Sequence, residues 1–96
     1  MREEAACIGV DVAKSTLDVA VTDSEETRQF ANEDKGISQA VSYIAGFRPA
    51  VIILEVTGNL EIPLAAALQA DRLPVVVINP RQVRDFARAT GALAKT

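Results

Sequence analysis

Two acids in this 96-residue chain stand where runs of apolar residues end. Asp11 follows Ile8-Gly9-Val10, and Glu55 follows Val51-Ile52-Ile53-Leu54. If the two runs are neighbouring strands, their backbones lie ~4.8 Å apart and the carboxyl groups can share a cation. Two carboxylates held together repel, and a divalent ion between them reverses the sign of that interaction. Magnesium, or manganese in its place, suits such a pair, because it takes one or two protein carboxylates and completes its shell with water and phosphate oxygens. Phosphodiester chemistry with two metal ions spaces them ~3.5–4 Å apart, one activating the attacking oxygen and one stabilising the leaving oxygen. A single acid past a buried strand is most simply where the chain meets water. The coincidence of two makes Asp11 and Glu55 the candidate catalytic and metal-binding residues. Asp18 is a weaker candidate, expected to point to solvent from an alternating strand.

Composition closes the other routes. The chain has no His, so a Ser-His-Asp triad, a Cys-His pair and an imidazole metal site are all excluded. Its single cysteine, Cys7, can form neither an internal disulfide nor a thiolate zinc cage. Cys7 lies inside an apolar run and is expected to be a small core residue in a reducing cytoplasm. The remaining chemistry must use carboxylates, Lys or Arg, hydroxyls, or a hard metal held by oxygens. With 49% hydrophobic and 24% charged residues the chain has the composition of one globular domain. No stretch approaches the ~20 apolar residues of a membrane span, and no long apolar run follows a basic start as in a secretory signal. A cytoplasmic location without membrane partners is the expectation.

The net charge of −3 hides an asymmetry. Residues 1–71 carry five basic and twelve acidic side chains, whereas residues 72–96 carry Arg72, Arg81, Arg84, Arg88 and Lys95 against Asp85 alone. Arg81, Arg84 and Arg88 fall at i, i+3 and i+7, one stripe of a helix, with Val83, Phe86, Ala87 and Thr90 on the other side. Guanidinium groups in a row suit nucleic-acid phosphates, which Arg can grip bidentately. A solvated helix face is the plainer alternative. Arg81, Arg84, Arg88 and Lys95 are therefore the candidate nucleic-acid-binding residues.

The elements that must position these residues follow from periodicity. Residues 5–12 are apolar on both faces until Asp11, which predicts a central strand covered on both sides. After the break Ala13-Lys14-Ser15, residues 16–22 alternate, with Leu17, Val19 and Val21 on one face, and residues 27–31 form a weaker third strand. Ile37, Ala40, Val41, Ile44 and Phe47 or Arg48 then recur at helical spacing, with Asn32 or Asp34 as the cap and Pro49 as the stop. Residues 50–55 are a buried strand. Leu60, Leu64, Ala67 and Leu68 mark a second amphipathic helix with Pro63 in its first turn, and residues 74–78 another buried strand. A last helix spans about Arg81 to Thr90 and stops at Gly91. The order is βββαβαβα: a meander followed by right-handed crossovers, with the first and fourth strands adjacent at the centre. The first strand is then a topological switch point, and open α/β sheets place their sites at the carboxyl ends of such strands.

Three stretches also carry a family resemblance: residues 8–21, from Ile8-Gly9-Val10-Asp11 through Leu17-Asp18-Val19; residues 54–61, Leu-Glu-Val-Thr-Gly-Asn-Leu-Glu; and residues 77–91, Val77-Ile78-Asn79-Pro80-Arg81 onward, followed by Leu93-Ala94-Lys95-Thr96. In this order they resemble the N-terminal domain of DEDD-type insertion-sequence transposases, the family that includes the pilin-gene invertase. The resemblance covers essentially the whole chain. It implies a ribonuclease-H-like α/β fold similar to RuvC-type Holliday-junction resolvases, a mixed sheet with helices on both faces. It also implies that Asp11 and Glu55 are the first two acids of a magnesium- or manganese-dependent DNA transposase or recombinase. The family's other two Asp residues follow an Ala-Lys-Thr motif, so residues 1–96 are expected to be one domain cut before the last acidic motif. The resemblance further implies a C-terminal domain, with a serine implicated in strand exchange, outside residues 1–96, and residues 1–96 alone are expected to be inactive. DNA is the implied partner, some family members use a guide RNA, and exposed apolar surface left by the truncation predicts self-association. Two alternatives stand beside this reading. One is a non-catalytic dimerisation or interaction module. The other is a fragment of an actin-like nucleotide-binding kinase, although Val12-Ala13-Lys14-Ser15 lacks the glycines of a phosphate-gripping hairpin.

Overall fold

Alternation in the first strands decides which side chains build the core. The computed structural model describes residues 6–22 and 24–79. In it, β1 (Cys7–Val12), β2 (Thr16–Val21) and β3 (Thr27–Ala31) form the expected antiparallel meander. β4 (Val51–Glu55) pairs parallel to β1, and β5 (Val75–Ile78) parallel to β4, giving the five-stranded order β3-β2-β1-β4-β5. This is the mixed sheet that the meander-plus-crossover reading predicts. The β1–β4 neighbourhood on which the pairing of Asp11 with Glu55 depends is present.

One face of the sheet carries the core. Ile8, Val10 and Val12 of β1, Leu17, Val19 and Val21 of β2, Phe30 of β3, and Ile52 and Leu54 of β4 are all buried there. Against them pack Ile37, Ala40 and Ile44 of α1 (Asp34–Ala45) and Leu64 and Leu68 of α2 (Ile62–Ala70). Each fully buried Leu or Ile contributes about 1.5–3 kcal/mol relative to an exposed one. The intervening residues Cys7, Gly9, Asp11, Ala20, Ile53 and Glu55 are exposed on the opposite face. Both described helices therefore lie on a single face. The last predicted helix, about residues 81–90, falls outside the described residues. β1 departs from the expected two-sided cover: its burial alternates strictly, and among the described residues it is covered on one side. Its continuous apolar look came from Cys7 and Gly9, whose small size lets them occupy an exposed pleat at little cost. Cys7 is accordingly an exposed free thiol, not a core residue.

The helices depart from expectation in detail. α1 begins after Glu33, whose side chain makes no capping hydrogen bond. The expected cap Asn32 instead donates from Nδ2 to the Ala13 carbonyl (2.8 Å), tying the β1–β2 hairpin to the β3–α1 connection. Gly36 makes that short connection feasible, because a Cβ there would collide with the Ala31 backbone. α1 ends at Ala45, before Phe47 and Arg48. Phe47 stacks edge-on against Tyr43 (ring centroids 5.0 Å apart), and Arg48 takes a left-handed φ of 50° just before the buried Pro49. α2 starts two residues after Leu60, with Pro63 in its first turn as predicted. It is not amphipathic: residues 62–68 are apolar all round, so Leu64 and Leu68 are buried while Ile62 is 53% exposed.

Candidate functional site

Parity places the acids. Val10 pairs with Leu54 across the parallel β1–β4 ladder, and both point into the core. The next residues, Asp11 and Glu55, must therefore project together onto the open face, from neighbouring strands ~4.8 Å apart. Both are exposed. The end of β4 is pinned from two sides. Glu55 is the partner of Ile78 in the β4–β5 ladder, and the Val56 N–H donates to the Ile78 carbonyl (2.8 Å).

Asp18 belongs to the same row. It sits directly opposite Asp11 in the antiparallel β1–β2 ladder and shares its face. It is half-buried rather than simply solvated, and accepts a 2.8 Å hydrogen bond from Gln29 Nε2 on β3. The signal for this was present in the pattern: if Leu17 and Val19 point inward with Val10 and Val12, then Asp18 must point outward with Asp11. A shallow concavity of about 410 Å³ is lined by Asp11, Asp18 and Glu55 together with Gly9, Ala20 and Ile53, and no basic side chain lines it among the described residues. Three carboxylates from β2, β1 and β4 thus border one hollow on the open face. Like charges directly opposite each other in a sheet are destabilising.

The donor set fits a hard divalent cation only in part. Carboxylate oxygens are the ligands magnesium and manganese prefer, and an open face leaves room for water and phosphate oxygens to complete the shell. Among the described residues, however, no three His, Cys, Asp or Glu side chains come close enough to hold an ion by themselves. The arrangement offers two carboxylates from adjacent strands and not a closed cage. A larger groove of about 510 Å³ between α1 and α2, bordered by Ile37, Val41, Pro63 and Ala67, lies on the other side of the molecule, with the hydroxyls of Ser38 and Ser42 and the acids Asp34 and Asp71 along it.

The connection after Glu55 is tightly organised. Thr57 Oγ1 donates to the Glu55 carbonyl (3.1 Å), and the Thr57 N–H donates to Glu61 Oε1 (2.9 Å). Gly58 and Asn59 follow with left-handed φ of 59° and 75°. Glu61, which closes the second family stretch but was given no role there, is the buried charged residue among the described ones, only 6% exposed. The Thr57 N–H, then Glu61's own N–H, hold its carboxyl below the usual carboxylate range, against a smaller opposing effect of burial.

A family model described as a transposase, of the DEDD IS110 type, matches residues 8–96. The chain belongs to this DEDD transposase family. The transposase domain also has the fold of RuvC. It superposes on Thermus thermophilus RuvC in complex with a Holliday junction substrate with a TM-score of 0.60 at 13% identity, covering 85% of this chain and 69% of that one. A second Thermus thermophilus RuvC structure gives a TM-score of 0.55 at 15% identity, with 82% of this chain and 64% of that one covered. No curated protein matches the chain in sequence. The strand order and these neighbours establish the ribonuclease-H-like fold of the transposase domain. Membership of the family sets the actin-like alternative aside. The basic positions Arg81, Arg84, Arg88 and Lys95 lie within the family match but outside the described residues. Among the described residues no helix is long and apolar enough to cross a membrane.

Proposed function

We propose that this chain is the N-terminal catalytic part of a DNA transposase or site-specific recombinase, and that Asp11 and Glu55 hold a divalent cation, magnesium or manganese, for DNA strand cleavage and exchange. The observation that carries the reading is the placement of Asp11 and Glu55 side by side at the carboxyl ends of parallel β1 and β4, on the open face of the sheet. A bound cation would supply charge neutralisation at the scissile phosphate and a more acidic water or hydroxyl nucleophile. The chain's own residues orient that chemistry. Asp11 and Glu55 present oxygens from two adjacent strands whose spacing is set by the ladder, and the shallow hollow gives a phosphodiester lateral access. Asp18 adds negative charge beside Asp11 and raises the electrostatic gain on binding a cation. Arg81, Arg84, Arg88 and Lys95 contact DNA phosphates in this reading, and supply the positive charge that the described face lacks. DNA as the substrate, a guide RNA as an additional partner and a cytoplasmic setting belong to the same proposal, as does the need for further acids and a further domain beyond residue 96 for activity.

The decisive experiment compares strand cleavage by the complete transposase with and without Asp11→Asn or Glu55→Gln. Cleavage at the normal rate by either variant removes that residue from the assignment. Replacing Arg84 and Arg88 by Glu should weaken DNA binding and flatten its dependence on salt concentration, and an unchanged slope would count against phosphate contact.

A second reading, self-association, draws on one specific observation. Ile53 is 37% and Val76 46% exposed on the open face, and Ile62 is 53% exposed on the outer side of α2. Light scattering on the 96-residue chain tests it, and a clean monomer removes it.

A further inference from the structure

Glu61 has an arrangement that helix capping does not require. A capping side chain reaches forward to the N–H groups of the first helical turn, usually from Ser, Thr, Asp or Asn. Glu61 precedes α2 in the capping position, yet its side chain makes no such bond. It reaches backward instead, and Oε1 accepts the Thr57 N–H at 2.9 Å. α2 is anchored independently by Leu64 and Leu68, both fully buried. The carboxylate therefore serves the connection before the helix.

That connection has a defined path. It turns through two consecutive left-handed residues, Gly58 and Asn59, the residue types that adopt this conformation most readily. A nearly buried carboxylate is unfavourable unless its oxygens are satisfied. The hydrogen bond from the Thr57 N–H is the largest of the contacts that satisfy the Glu61 carboxylate, and it ties that carboxylate to the start of the turn. From Thr57 the constraint continues, because the hydroxyl of the same residue donates to the carbonyl of Glu55 at 3.1 Å. A chain of two hydrogen bonds thus links the helix anchored in the core to the backbone that carries the proposed metal ligand.

We propose that Glu61 is a positioning residue for Glu55. Through Thr57 it holds the end of β4 so that the Glu55 carboxylate stays in register with Asp11 on the open face. This inference rests on the metal-binding reading of Asp11 and Glu55, and it adds a residue that does not itself touch the cation.

The test uses the 96-residue chain and Mn²⁺, titrated while paramagnetic broadening is followed at Asp11 and Glu55 by nuclear magnetic resonance. Glu61→Ala should weaken Mn²⁺ binding roughly tenfold, the scale seen when groups supporting a metal ligand are removed. Glu61→Gln keeps an acceptor oxygen for Thr57 and should restore most of the affinity. Amide exchange at Thr57, measured without metal, should accelerate in Glu61→Ala and stay slow in Glu61→Gln. Unchanged Mn²⁺ affinity or unchanged Thr57 exchange in a folded Glu61→Ala would overturn the inference, as would a Gln variant as impaired as the Ala variant. If Glu61→Ala does not fold, Thr57→Val carries the test. It removes only the hydroxyl link to Glu55 and should weaken Mn²⁺ about threefold, the worth of one modest hydrogen bond, with no change in affinity being the overturning result. Asp11→Asn separates the two levels. If it leaves Mn²⁺ binding intact, the metal reading fails whatever Glu61 does, whereas the exchange rate at Thr57 judges the positioning link independently.

Discussion

The same three strands, β1, β2 and β4, present two different surfaces. On the covered face Val10, Leu17, Ile52 and Leu54 meet two helices and are almost wholly removed from water. On the open face, one residue away along each strand, stand Gly9, Asp11, Asp18, Ile53 and Glu55, small or acidic side chains with a few exposed apolar ones between them. The covered face is arranged for stability, with interdigitated apolar groups, and the one charge that its β3 edge brings in, Arg28, lies over the rings of Phe30 and Tyr43. The open face violates the rules that favour stability, since it sets Asp18 directly across from Asp11 and brings Glu55 alongside. Local choices that oppose folding concentrate at functional sites, where something other than stability has to be served. The division of labour between the faces is therefore itself an argument for a site among the acids.

If that division is real, substitutions on the two faces should act on different observables. The largest effect on stability should come from Leu54→Ala, which empties a fully buried position and should cost about 2–5 kcal/mol in denaturant unfolding. Its neighbour Ile53, pointing the other way and 37% exposed, should cost well under half as much when replaced by Ala. Equal losses would erase the contrast. Asp11→Asn and Glu55→Gln should invert the pattern, leaving unfolding within about 0.5 kcal/mol of the parent while lowering strand cleavage by the complete transposase by roughly two orders of magnitude or more. A smaller effect belongs to Glu61. Its carboxyl is held below its ordinary value of 4.5 in the folded chain, so the stabilisation it brings is present above that value and is lost as pH falls through the lower folded value. Acid unfolding of the parent should thus show a limb below pH 4.5 that Glu61→Gln lacks, and identical acid profiles would contradict the assigned hydrogen bonds. The smallest effect sharpens the comparison most. Asp18→Asn removes a like-charge pair while keeping an acceptor for Gln29, and should raise stability by about 0.2–1 kcal/mol at neutral pH and low salt, less at high salt. Destabilisation would show that the row of acids is not repulsive.

Much of this was readable from residue order. Strict alternation in residues 16–21, the unbroken apolar run before Glu55 and the change to helical spacing after residue 33 specify the elements, and connection lengths with crossover handedness specify their neighbours. The alternation sends Asp18 to the open, solvent side of the sheet, where the structure has it, but its place directly opposite Asp11 needed the register between β1 and β2. Cys7 was misread because a small residue in an apolar run looks the same whether its pleat is covered or open. Glu61 left no periodic mark at all. Its partner is the backbone of Thr57, and no residue pattern encodes which N–H a side chain will meet once Gly58 and Asn59 have turned the chain. Gly36 was equally silent, since the Ala31 carbonyl that excludes a side chain there comes into place only when α1 docks beside β3.

Sequence alone was enough to exclude imidazole and thiolate-cage chemistry within these 96 residues, to put Asp11 and Glu55 at the ends of two strands expected to be adjacent and parallel, and to show that positive charge gathers in residues 72–96. Those conclusions depend on residue types and on pairing rules that act at the level of the strand. Only the folded sheet decided that Asp18 faces Asp11, that the helices α1 and α2 leave the acidic face uncovered, and that a buried Glu61 holds the loop behind Glu55. The reason is that strand order is a one-dimensional property, written in hydrophobic period and loop length. Contact between side chains depends on register, twist and the path of short connections, and these exist only once the elements are packed against one another.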